Sequence, residues 1–302
     1  MAALRKSPDP EPTAKRASRR TQPAHAACLL VGALVVGLFT SAARAETPTL
    51  GGRTVILEPP AEYCALDPAR QDEADLIAFN EKMQQPRNHL VMQLADCGEL
   101  ADFRAGKRPS FDRYGQYFVP ATDGAVRPVT GFTRASYLEE GARELPKLDS
   151  GVLVDEITAK LRAGAGSDVT GMHFLGVLKQ DEAGLYLGIA VGKVSVGDQT
   201  ASAGAIGVVG LTLVNEIPVS LGLYQANVGA EAVPDLLAKV QQTLASVVQA
   251  NAETEAREGA TRRVWHGIDL TAVLIGIAVG AAVGLLGWAW SRRRKHRAGP
   301  SA

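Results

Sequence analysis

Residues 268–290 form a run of 23 residues with one charge, Asp269, and Arg292, Arg293, Arg294, Lys295 and Arg297 follow at once. As a helix rising 1.5 Å per residue the run is about 34 Å long, enough to span a hydrocarbon core of about 30 Å with some tilt. Trp265 lies just outside one end and Trp288 and Trp290 lie at the other, where interfacial anchors belong. The run therefore predicts a transmembrane helix over residues 266–291. The excess of positive charge on its C-terminal side predicts a cytoplasmic tail over residues 292–302 and an extracytoplasmic location for what precedes it.

The other end of the chain agrees. Arg5, Lys6, Lys15, Arg16, Arg19 and Arg20 precede an apolar stretch from Ala26 to about Ala43, and Ala43-Arg44-Ala45 has the small-residue form of a cleavage site. This three-part pattern predicts a signal peptide over residues 1–45; the alternative is an uncleaved anchor. Ser18-Arg19-Arg20 invites a twin-arginine reading, but Thr21-Gln22-Pro23 is not its usual apolar continuation, so both export routes stay open. Cys28 begins the apolar run, whereas a lipidated cysteine belongs at its end. A cleaved signal and a C-terminal stop-transfer helix predict a single-pass type I protein of the cytoplasmic (inner) membrane, with a periplasmic or otherwise extracytoplasmic domain.

The net charge of zero conceals a segregation. Residues 46–265 hold 20 Lys+Arg against 29 Asp+Glu, while both flanks are basic. An acidic ectodomain argues against nucleic acid as a partner. Inside the apolar run, Gly276, Gly280 and Gly284 make a doubled G-x-x-x-G, continued by Gly287. Glycines four apart share a helix face and admit a close backbone, which predicts a homodimer or a helical membrane partner; the bland alternative is the general abundance of glycine in membrane helices.

Residues 46–250 read as one extracytoplasmic α+β domain, joined to the membrane by a polar tether over 251–265. Arg53–Leu57, His89–Ala95 and Tyr114–Val119 read as strands. Helices are expected over Gln71–Met83, after Cys97, over Ala135–Glu144 and over Val152–Leu161. Phe174–Leu178, Leu185–Val196, Ala205–Val214 and Pro218–Tyr224 read as four strands with short turns at Asp181–Gly184 and Asn215-Glu216, hence an antiparallel meander. From Ala232 to Ala250, Val233, Leu236, Leu237, Val240, Leu244, Val247 and Val248 form one apolar helical stripe. The fold class predicted is an antiparallel β-meander sheet packed by helices. This order of helices, meander and closing helix is similar to the α/β/α layout of photosystem-II PsbP domains; the resemblance is one of layout and carries no site residue.

Chemistry-bearing motifs are few. Cys64 and Cys97 are the two cysteines left after cleavage, and an even pair outside the cytoplasm predicts a disulfide. His89 and His173 lie in apolar stretches, without the spacing of a zinc set or of H-E-x-x-H. Neither G-x-S-x-G nor S-x-x-K is present, and the glycines at 204, 207 and 210 do not have the dinucleotide-binding spacing. No cofactor is expected. Arg104, Lys107, Arg108 and Arg113 with Tyr114, Phe111, Tyr117 and Phe118 form the densest basic and aromatic stretch of the ectodomain, a possible binding patch for an anion or a protein; the alternative is a loop feeding a strand whose aromatics are core. These features predict a membrane-anchored envelope protein with a non-enzymatic binding or interaction domain, the lipid bilayer being its first partner. An envelope hydrolase of unrecognised type is the alternative.

Overall fold

The computed structural model describes residues 45–165, 167–196, 199–201, 204–258 and 271–282. A small hairpin, β1 (Thr49–Leu50) and β2 (Arg53–Thr54), precedes β3 (Tyr63–Ala65), α1 (Gln71–Gln84), β4 (Asn88–Asp96), α2 (Cys97–Arg104) and β5 (Arg113–Pro120). A helical pair follows, α3 (Arg134–Glu144) and α4 (Ser150–Ala165). Then come β6 (Ser167–Thr170), β7 (His173–Gln180), β8 (Leu185–Val191), β9 (Lys193–Val196), β10 (Gln199–Ala201), β11 (Ala205–Val214), β12 (Ile217–Ala226) and α5 (Val233–Glu258). Seven strands form one sheet in the order β3-β4-β5-β12-β11-β8-β7, antiparallel throughout. The fold is α+β, a large antiparallel sheet packed by helices, and its β7-β8-β11-β12 part is the expected meander.

Alternation along the strands sorts the core into two layers. Val219, Leu221 and Leu223 of β12 share one layer with Leu236, Val240, Leu244 and Val247 of α5. Tyr114 and Phe118 of β5, Tyr224 of β12 and Leu187 of β8 face the other way, into a layer shared with α3, α4 and residues 273–282. The β11–β12 connection is a two-residue turn in which Asn215 and Glu216 both have positive φ, 47° and 64°. This geometry matches the right-handed twist of the paired strands.

Three expectations need correction. Leu185–Val196 is not one strand: it breaks at Gly192, where a Cβ would stand 2.5 Å from Thr170 O, and its second half joins β6 and β10 in a separate three-stranded sheet. The stretch read as a tether is helical over residues 251–258, because α5 continues to Glu258, and residues 259–265 lie outside the described ones. Arg53–Leu57 is strand only to Thr54. Beyond it, Asn251 of α5 takes the place of a neighbouring strand: its Oδ1 accepts from Ile56 N at 2.9 Å and its Nδ2 donates to Ile56 O at 2.9 Å. Replacing Asn251 with alanine leaves both Ile56 groups without those partners, and the expected loss is about 2 kcal/mol. Urea unfolding of the two proteins checks this, and equal midpoints would refute it.

A further helix occupies residues 271–282, and every residue from Ala272 to Ala282 is buried. A helix apolar on all sides is at home either in lipid or at the centre of a fold. These residues lie at the centre of the layer opposite α5. Among the described residues no helix is long and apolar enough to cross a membrane. Residues 1–44 of the predicted signal peptide, Gly284, the three tryptophans and the basic tail all lie outside the described residues.

Candidate functional site

The 271–282 helix fills a cleft on the sheet, and the cleft is built from β5 outward. Tyr114, Gln116 and Phe118 are two residues apart and so point to the same face. Tyr224 is the register partner of Tyr114 on β12, and the two rings stack at 5.3 Å between centroids. Two glycines make room for the Tyr224 ring to lie along the sheet. A Cβ at Gly207 would meet the ring at 2.8 Å (Cε1), and one at Gly222 would meet it at 2.7 Å (Cζ). Asn88 opens β4 and Gln84 closes α1, so both stand at one wall of the cleft. Lys160 of α4 steadies that wall, with Nζ donating to Gln85 O at 2.7 Å.

These five side chains all donate to backbone carbonyls of the helix. Asn88 Nδ2 reaches Ala272 O at 2.8 Å, and Gln84 Nε2 and Gln116 Nε2 reach Gly276 O at 3.1 and 3.3 Å. Tyr224 OH donates to Ile277 O at 3.0 Å and Tyr114 OH to Ala281 O at 2.6 Å. The helix accepts this approach because its facing side chains are small. A Cβ at Gly276 would stand 2.8 Å from Phe118 Cδ2; one at Gly280 would overlap Gln116 Nε2 and stand 2.6 Å from Tyr224 OH. Gly276 and Gly280 thus face the sheet of their own chain. Burial raises the pKa of both phenols, which keeps them protonated as donors. Gln84 Oε1 and Asn88 Oδ1 are buried without a hydrogen-bond partner among the described residues.

The cleft holds the helix by its shape and by its backbone. Its polar groups are amides and phenols that read main-chain oxygens, and each is aimed at a helix rather than at an open reaction volume. Among the described residues, no three His, Cys, Asp or Glu side chains gather as a metal site. No protein-family model matches this chain, and no curated protein matches it.

The residues singled out in the sequence are distributed as follows. Cys64 and Cys97 form a disulfide between β3 and the start of α2, with Cα atoms 5.0 Å apart. The basic stretch is laced with acids. Arg104 pairs with Glu73 at 2.8 Å, Lys107 with Asp102 at 3.2 Å, Arg108 with Asp112 at 2.8 Å, and Arg113 with Asp96 at 2.6 Å. Tyr114 is turned away from them into the cleft, and Tyr117 points to the α5 layer, its OH donating to Glu58 O. His89 is half-exposed, its Nδ1 3.6 Å from Glu81, and His173 is exposed.

The most deeply buried member of the basic network is Glu73. Burial alone would raise its pKa, but the Arg104 fork, the Asp67 amide at 2.7 Å and Arg70 outweigh that and hold it below the usual range. A carboxyl lowered on folding stabilises the fold above its unfolded pKa of about 4.3 and loses that contribution as pH falls through the folded value. Chemical denaturation at pH 7 and pH 3 should therefore show a loss of stability in the wild type that is smaller in Glu73→Gln. Equal losses would remove Glu73 from the account.

Sequence reasoning overlooked Gln84, Asn88, Gln116 and Tyr224. One signal was available: Gln116 sits between Tyr114 and Phe118 at inward positions of a strand that is otherwise apolar or aromatic on that face. A buried amide at such a position needs a partner, and none lies nearby in sequence.

Proposed function

We propose that this chain is a non-catalytic binding protein of the cell envelope, and that the cleft on the β5–β12 face is its binding surface for an apolar helix bearing small residues four apart. The observation that carries this reading is the convergence of five side-chain donors, from α1, β4, β5 and β12, on the carbonyls of one glycine-faced helix. Nothing in that arrangement leaves a nucleophile or a base facing free space. The disulfide supports an oxidising, extracytoplasmic compartment. The apolar run, its flanking tryptophans and the basic tail support attachment to the outer face of the cytoplasmic membrane through residues 266–291. Helix-in-groove recognition of this sort reads small residues as the anchor points, because they set how closely the backbones approach.

The test is to nick the folded full chain at a protease site placed between positions 259 and 270, then follow exchange of the released C-terminal fragment with a labelled synthetic peptide of the same sequence. The fragment should stay bound and exchange slowly. Gln116→Leu and Tyr224→Phe should each weaken it about fivefold, the equivalent of about 1 kcal/mol for one hydrogen bond. Immediate loss of the fragment, or binding indifferent to both substitutions, would overturn the reading.

A further inference from the structure

The cleft and the bilayer compete for the same residues. With 271–282 seated on the sheet, the apolar run keeps only residues 268–270 on one side and 283–290 on the other. The longer remnant, eight residues, makes about 12 Å of helix. A hydrocarbon core is about 30 Å thick. A chain whose cleft is filled by its own segment therefore cannot span the membrane with it, and a chain that spans the membrane leaves its cleft empty.

We propose that residues 271–282 have two mutually exclusive seats, the cleft and, as part of the 268–290 run, a lipid bilayer, and that lipid draws the segment out and so opens the cleft. This rests on the reading of the cleft as a helix-binding site and adds what controls its occupancy. Three features make the seat in the cleft a releasable one. The helix is held at its backbone by amides and phenols, which water can satisfy once the helix has gone. Two of the donating amides, on Gln84 and Asn88, carry a buried oxygen with no partner among the described residues, and water can reach these oxygens on release. The segment itself is apolar all round, so its side chains find an equivalent environment in lipid.

The chain carries its own reporter. Its three tryptophans, Trp265, Trp288 and Trp290, all lie beside residues 271–282 in the chain. The experiment uses the full chain and vesicles of phosphatidylcholine and phosphatidylglycerol, 3:1, with dibrominated acyl chains that quench tryptophan on contact. A Gln116→Cys/Gly280→Cys pair supplies the lock: a Cβ built at Gly280 would stand 2.8 Å from Gln116 Cδ, so the pair joins two positions in direct contact, and Gln116→Cys removes the amide that a Cβ at 280 would overlap. In water the pair should oxidise within one chain. The wild type should lose at least half its tryptophan emission on adding vesicles, and the oxidised pair should lose none. The unmodified chain gives an independent readout: Tyr114 and Tyr224 should resist nitration by tetranitromethane in water and become nitrated once vesicles are present. A wild type that is never quenched, an oxidised pair quenched as strongly as wild type, or tyrosines protected equally with and without lipid would each overturn the proposal. So would a 116–280 disulfide that forms between two chains in water, which would make the occupant a second copy. The peptide-exchange experiment on the nicked chain is independent of lipid, so a failure here leaves the helix-binding reading to stand or fall on that result.

Discussion

Gly280→Leu expels the 271–282 helix from the cleft while the α5 layer stays intact. The added side chain starts where Gln116 Nε2 already is and 2.6 Å from Tyr224 OH, so both neighbours must shift to admit it. Gln116 is fixed in a central strand and Tyr224 is stacked on Tyr114. Inserting a branched side chain into such a contact costs about 3 kcal/mol, at the upper end of overpacking effects. The Tyr114 and Tyr224 hydrogen bonds to the helix are lost with it. The expected result is a lower unfolding midpoint together with reaction of Tyr114 and Tyr224 with tetranitromethane in the absence of lipid. Tyr117, on the opposite face of the same strand, is the internal control and should stay protected. A variant with wild-type stability and protected Tyr114 and Tyr224 would show that the helix is not seated against Gln116.

Removing the disulfide has the next largest effect. Cys64 and Cys97 are 33 residues apart, and closing a loop of that length stabilises the fold by about 3–4 kcal/mol in the chain-entropy model. For a domain of this size each kcal/mol shifts the melting midpoint by about 2–4 °C, so Cys64→Ser/Cys97→Ser should melt about 10 °C lower than the oxidised wild type. The same bridge pins the start of α2, whose Glu99 accepts from the Asp112 amide at 2.7 Å at the entry to β5. Loosening there propagates toward the strand that carries Tyr114 and Gln116. Thermal melts with and without a reductant, beside the double serine variant, check the prediction; identical midpoints would sink it.

Much of the fold was legible because its signals are local. The α5 stripe recurs at three and four residues, Val219, Leu221 and Leu223 of β12 alternate with Ser220 and Gly222, and Asn215-Glu216 sits as a polar turn between two apolar runs. The break at Gly192 was not, because it depends on Thr170 O crossing at that point, which no local pattern encodes. Nor were β6 and β10, which are too short to show a period. The basic and aromatic stretch around residues 104–118 shows the limit most clearly. It is dense in sequence, yet strand alternation sends Tyr114 and Phe118 to one layer and Tyr117 to the other. The acids that neutralise its arginines come partly from α1 and from the end of β4. The cleft was hidden for a related reason: four of its five donors lie 160 residues or more before the helix they hold.

That separation has a consequence in time. The bonds that close the cleft join Gln84 to Gly276, Asn88 to Ala272 and Tyr114 to Ala281, across 192, 184 and 167 residues of chain. Everything from α1 to α5 is synthesised before the segment that completes the layer beneath it. Loop-closure entropy places such contacts late in folding as well. A nascent chain therefore carries a finished α5 side and an uncovered aromatic side for the last part of its synthesis, a face that invites chaperones or wrong partners. The β5–β12 face therefore stays uncovered until residues 271–282 have been made.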